Sequence, residues 1–176
     1  MSNAESASET GNIISICYKP KAVRSPDAYL RVVRDSVELV VGRGIRGDSK
    51  GRSPRRQLNI MSQQTVEQLR AEGYRTAPGE LGEQIVISGI DVQTLPPGTR
   101  LLMGDRAVIE IFSLREPCNR FEHIQGKPQA YDRVGVLAGV ITGGQIGIGD
   151  VVRVIAADKI IQPDESTLPD TAGISS

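Results

Sequence analysis

What most constrains this chain is its punctuation. Apolar, largely β-branched runs recur at residues 13–17, 37–41, 58–61, 85–87, 108–112, 134–141 and 151–155, and Gly, Pro or Asp separates most of them. Runs this short suit strands, and the turn residues between them suit chain reversals, so a sandwich or barrel is expected. With no Trp and two Phe, the core of such a fold must be aliphatic. One segment breaks the pattern. Ser62 can cap a helix, Val66 and Leu69 lie three apart on one face of it, and Gly73 follows its last turn. A second helical turn is expected to begin at Asn119.

The chain has 176 residues, enough for one domain with a real hydrophobic core. Residues 1–11 are polar, and Ser2-Asn3-Ala4 reads as the remnant of an expression tag. Residues 157–176 are rich in Asp, Ser, Pro and Thr, as a solvated tail would be. The folded unit is therefore expected at 12–156. Within it, 98–105 and 143–150 share the pattern G-x-x-aliphatic-x-aliphatic-G-D, a weak echo that supports a β-meander and reads as repeated turn chemistry rather than duplication.

Lys plus Arg and Asp plus Glu both number 21, so no global charge points to nucleic acid or to a membrane surface. No apolar stretch approaches the roughly 20 residues that span a bilayer, and no signal peptide is evident, so a soluble cytoplasmic protein is expected. Two cysteines about a hundred residues apart make no disulfide framework.

The chemistry concentrates at Arg115-Glu116-Pro117-Cys118-Asn119-Arg120. Proline holds Glu116 extended and stops the preceding strand, which presents Cys118 in a turn. The flanking guanidinium groups favour its thiolate, the form that attacks electrophiles or ligates a soft metal. Cys17, inside the apolar run 13–17, reads as core instead. Between Gly42 and Arg56 lie Arg43, Arg46, Lys50, Arg52, Arg55 and Arg56, opposed only by Asp48. Glycines spaced through this segment could offer backbone N–H groups to an anion, although the segment by itself fits a solvated loop better. Arg55 and Arg56 stand out because they precede a strand that can hold them in place. His123, the single histidine, lies five residues after Cys118, on another side of any helix, so a Cys-His pair is not expected. Cys17, Cys118 and His123 also lack the paired spacing of a zinc site.

Taken in order, these pieces resemble the MOSC domain family. The resemblance is carried by Gly44-Ile45-Arg46-Gly47-Asp48, Arg56-Gln57-Leu58-Asn59-Ile60, Leu81-Gly82-Glu83-Gln84-Ile85, Gly98 through Asp105, Arg115-Glu116-Pro117-Cys118, and Gly139-Val140-Ile141-Thr142-Gly143-Gly144 leading to Gly149-Asp150. It implies a mostly β fold, a single barrel of the pyruvate-kinase-barrel type with a few short helices. It also implies a bound molybdenum cofactor (molybdopterin), an anionic pterin whose metal Cys118 would ligate as the catalytic residue. Arg56 and Arg115 match positions near the pterin phosphate, Glu83 and Asn119 match loops flanking the site, and Arg46 and Arg55 join them as candidates from the basic segment. The implied activity is reduction of small N-hydroxylated compounds with electrons from an external donor protein. One alternative is a sulfur carrier or cofactor-handling protein with a persulfide on Cys118, fed by a sulfur donor; another is a non-catalytic anion-binding module. Two departures from the family pattern stand out. Relatives often carry a histidine shortly after the first Gly-Asp, where this chain has Ser49-Lys50-Gly51. The usual Gly-Glu-Asn is here Gly82-Glu83-Gln84.

Overall fold

The computed structural model describes residues 10–21, 31–51, 53–116, 118–127 and 134–155. Its strands are β1 (Thr10–Tyr18), β2 (Val32–Val33), β3 (Ser36–Val40), β4 (Gly44–Ile45), β5 (Leu58–Ser62), β6 (Ile85–Ser88), β7 (Arg100–Met103), β8 (Ala107–Leu114), β9 (Val136–Thr142), β10 (Gly144–Gly147) and β11 (Val151–Ile155). The helices among the described residues are α1 (Gln63–Ala71) and α2 (Asn119–Gln125), with one 3-10 turn at Val92–Thr94.

The fold is a mostly β, closed seven-stranded barrel, running β1-β11-β7-β8-β9-β5-β6 and back to β1. Closure leaves the barrel without a free edge, which a chain of short strands needs if it is not to pair with its neighbours. Every pairing in the ring is antiparallel except β5 with β6. A parallel pair requires a crossover connection, and α1 supplies it. Outside the ring, β10, β3 and β4 form a small antiparallel sheet, and β2 adds to the end of β1.

Strand alternation divides the apolar residues between two cores. Ile60, Ile85 and Ile87 point into the barrel with Ile13, Ile16, Leu101, Ile109 and Val140. Their neighbours Met61 and Val86 point outward and meet Val66 and Leu69 of α1, Leu81, Val134 and Phe121 of α2. The second cluster fastens both helices to one side of the barrel.

Several expectations are adjusted by the structure. β1 begins at Thr10, which pairs with Arg153 of β11, so the folded unit starts two residues before position 12. The tails at 1–9 and 156–176, with Arg52 and Pro117, lie outside the described residues. The two echoing segments fall in different sheets, with β7 opening the antiparallel meander β7-β8-β9 of the barrel and β10 lying outside it, so what they share is turn chemistry. Ser62 precedes α1, but its hydroxyl does not cap the helix; it accepts the N–H of Val92 at 2.8 Å. The basic segment is not a simple solvated loop. It contains β4, and Gly44, Ile45 and Asp48 are buried within it.

Candidate functional site

Four chain segments meet beside Cys118. The first two are stitched by a bridge between Pro20 and Asp48, by the Ser49 N–H donating to the Lys19 carbonyl at 2.8 Å, and by the Lys21 N–H donating to the Gly47 carbonyl at 2.9 Å. This sets Lys19, just past β1, next to Lys50. The third segment is the turn Gly79-Glu80-Leu81-Gly82, both of whose glycines have positive φ. A side chain at Gly79 would collide with the stem of Arg31, and one at Gly82 would come within 2.4 Å of Arg115 Nη2. Glycine is therefore required at both places, for the backbone angle and for the arginine that lies across it. Arg31 Nη2 donates to the Gly82 carbonyl at 3.3 Å, and Arg115 Nη1 donates to the Leu81 carbonyl at 2.7 Å and the Val134 carbonyl at 3.3 Å. The fourth segment is α2, which Cys118 precedes as its N-cap residue. Phe121 anchors this helix in the outer core, and the Gln125 amide bonds to the backbone of Arg75 and Glu80.

Among the described residues, the resulting cleft is lined by Cys118 and by five cations, Lys19, Arg31, Lys50, Arg115 and Arg120. Cys118 is exposed, and no clustered His, Cys, Asp or Glu set suited to a metal ion occurs among the described residues. Partial burial pushes the Cys118 thiol up. The backbone amides of Arg120 and Phe121 and the charges of Arg115 and Lys50 outweigh this and hold it below its usual range. Neither amide makes a full cap hydrogen bond to the sulfur, since the Phe121 N–H is given to the Cys118 carbonyl at 2.8 Å. Burial, then the neighbouring charges of Arg31, Arg120 and Arg115, push the Lys50 ammonium down to about 8. Burial likewise lowers Arg115. Cys17 is the opposite case. It is fully buried, its Sγ donates to the Glu83 carbonyl, and burial pushes its pKa up to about 12.

The two departures from the family pattern prove to be one unit. Gln84 Oε1 accepts the Asn59 N–H at 2.7 Å, while Gln84 Nε2 donates to Asp48 Oδ2 at 2.6 Å. Asp48 Oδ1 in turn accepts the Lys50 N–H at 3.0 Å. The longer amide thus spans two elements and fixes the turn from which Lys50 enters the cleft.

The remaining expected site residues are distributed elsewhere. Glu83 is buried behind the cleft and does not line it. Its carboxylate accepts the Gly79 N–H, its second oxygen has no partner among the described residues, and burial raises its pKa. Asn119 is exposed on the first turn of α2. Arg46 forms an exposed ion pair with Glu38, outside the cleft. Arg55 and Arg56 line a separate hollow of about 530 Å³ with Glu110 and Phe112. A larger hollow, about 820 Å³, lies between the Gln93–Pro97 loop and the end of β8, and shares Arg115 with the cleft. His123 is exposed on α2 and does not line the cleft. Sequence reasoning missed Lys19 and Arg31, which no local motif marks; only the long-range pairing of β1 and β2 brings them in. Lys50 had a signal, its place after the Gly-Asp.

The profile of the MOSC domain matches residues 48–153, more than half of the chain and nearly all of the barrel. The chain belongs to the MOSC domain family. This MOSC domain is also similar in fold to the YuaD protein of Bacillus subtilis, at 19% identity and a TM-score of 0.70, over 84% of this chain and 96% of that one. It is similar to YiiM of Escherichia coli at 18% identity and a TM-score of 0.61, over 82% and 70% of the two chains. YiiM of Geobacillus stearothermophilus gives 17% identity and a TM-score of 0.63, over 83% and 75%. No curated protein matches the sequence. No described helix is long and apolar enough to cross a membrane.

Proposed function

We propose that this MOSC domain binds the molybdenum cofactor at Cys118 and reduces small N-hydroxylated compounds with electrons from an external donor protein. The observation that carries the reading is the cleft itself, which sets an exposed cysteine of lowered pKa among five cations. That donor set suits the chemistry of the group, and because the enclosed space is only about 20 Å³ the group would lie across the mouth of the cleft. Among the described residues the cleft offers one thiol as a metal ligand, which suits a metal that arrives with ligands of its own, and the surrounding cations suit an anionic carrier. Cys118 would ligate the metal, and Arg31, Lys50, Arg115, Arg120 and Lys19 would hold the anionic part. When bound, the cofactor would supply the two-electron chemistry that an N–O bond needs.

The chain's own residues contribute positioning and charge. Gly79 and Gly82 let two arginines lie flat on the backbone, and carbonyl oxygens fix the Arg115 guanidinium without neutralising it. Lys50 enters from a turn locked by Asp48 and Gln84. A site of this kind is pre-organised for an anion and costs little ordering on binding. The test is metal content after expression in a cofactor-producing host. Molybdenum should be near stoichiometric in the wild type and absent from Cys118→Ala; equal content in both, or none in the wild type, would refute the reading.

The accessibility of Cys118 also favours a second reading, a sulfur carrier with a persulfide on that residue. Cyanide-labile sulfur on Cys118, without molybdenum, would select it.

A further inference from the structure

The hollow between the Gln93–Pro97 loop and the end of β8 has no part in the reading above. Its volume of about 820 Å³ falls in the range of small-molecule sites. Leu95, Pro96, Pro97, Ile111 and Leu114 give it apolar walls. Ile111 is buried at its base, whereas Leu114 stands 48% exposed on it, a large apolar side chain left facing solvent at a strand end. The two prolines are rigid, so little side-chain freedom is lost when a ligand packs on them. The polar groups of the loop are already committed. Gln93 Oε1 accepts the Gly135 N–H at 3.0 Å, and Thr94 Oγ1 donates to the Asp91 carbonyl at 2.8 Å. Charge is confined to one rim, Arg115 and Glu116. Arg115 is also a wall of the Cys118 cleft, so the hollow and the cleft adjoin.

We propose that this hollow receives the uncharged, apolar body of the small molecule on which Cys118 acts, with the polar end of that molecule directed past Arg115. The division of labour follows from the linings. Anionic groups belong to the cleft with five cations, and a neutral apolar body belongs to the wall of leucines and prolines. The inference rests on the reading of Cys118 as the reactive centre, and its test separates the two.

Two alkylating probes share one reactive group, iodoacetamide and N-benzyliodoacetamide. In each the thiolate displaces iodide as the C–S bond forms. Rates at Cys118 in the whole protein are divided by the rates with free glutathione. The benzyl probe should gain at least about tenfold over iodoacetamide and should saturate with concentration, because binding in the hollow raises its local concentration. Leu114→Asn, an uncharged change at an exposed side chain, should erase that gain, which is taken against the iodoacetamide rate of the same variant. An undiminished gain in Leu114→Asn, or no gain in the wild type, overturns the proposal. Unreactive N-benzylacetamide gives a readout independent of the thiol. Amide shifts centred on Leu95, Ser113 and Leu114 support the site, and shifts elsewhere or none overturn it. A hollow that fills beside a Cys118 that iodoacetamide labels no faster than Cys17 would refute the Cys118 reading alone.

Discussion

Replacing Gly82 with alanine tests how the cleft is held together. Gly82 has φ +84°, a region that costs an L-residue about 1–2 kcal/mol. The new Cβ would also lie 2.4 Å from Arg115 Nη2, so the guanidinium must move. Moving it strains or breaks the 2.7 Å hydrogen bond to the Leu81 carbonyl, a bond from a charged donor worth roughly 1.5–3 kcal/mol. The two terms together are on the order of 3 kcal/mol, which for a domain of this size lowers Tm by roughly 10 °C. The chemical consequence is separate. With Arg115 displaced, the Cys118 thiolate loses a favourable charge and its pKa rises, which moves the labelling profile to higher pH. Gly149→Ala is the control, since Gly149 has φ +90° and nothing within 4 Å of the added carbon. It should lose stability from the backbone alone and leave Cys118 untouched. The assays are thermal unfolding and the pH profile of iodoacetamide labelling at Cys118. Equal stability losses with two unchanged labelling profiles would show that Gly82 does not position Arg115.

Gln84→Ala would leave Asp48 Oδ2 and the Asn59 N–H without their partner and should cost about 2–4 kcal/mol in urea unfolding; a loss below 1 kcal/mol would mean that water replaces the amide. Phe121→Ala removes the anchor of α2 and should cost about 3–5 kcal/mol while slowing Cys118 labelling; full reactivity would show that α2 is held without it. The raised pKa of Cys17 means that the unfolded chain gives up that proton first, at its ordinary value of 9.0, and the folded chain only at about 12. The thiol's contribution is therefore complete below pH 9 and is lost as pH rises from 9 towards 12. Cys17→Ala should remove a slope of up to about 1.4 kcal/mol per pH unit in that window; identical slopes in both proteins would contradict it.

The β architecture was legible because strand and turn chemistry are local. Runs such as 85–87 and 108–112 carry their own pattern, which left a sandwich or a barrel open, and the family resemblance chose the barrel. The exposure and basic surroundings of Cys118 were legible for the same reason, since its arginines are sequence neighbours. The cleft was not. Lys19 and Arg31 reach it through pairing between segments far apart in the chain, which no window of sequence records. The basic segment misled in the other direction. Arg46 is drawn off by Glu38, and Arg55 and Arg56 face a different hollow. Among the described cations of that run, Lys50 lines the cleft, because buried Asp48 turns the chain inward there. Gln84 looked like a small departure and is a structural tie, a role visible only once its two partners are in place.

The unlike fates of the two cysteines set a rule for any chemistry at the exposed one. Cys17 is sealed in the core, protonated and hydrogen-bonded, and the chain has no third thiol. A sulfenic acid, a persulfide or a mixed disulfide formed on Cys118 therefore has no resolving partner within the folded molecule. It persists until a second molecule arrives to attack it, and the cations around it decide which second molecules come close. Turnover at this site, by whichever chemistry, is an encounter between two partners, and its rate belongs as much to the visitor as to the host.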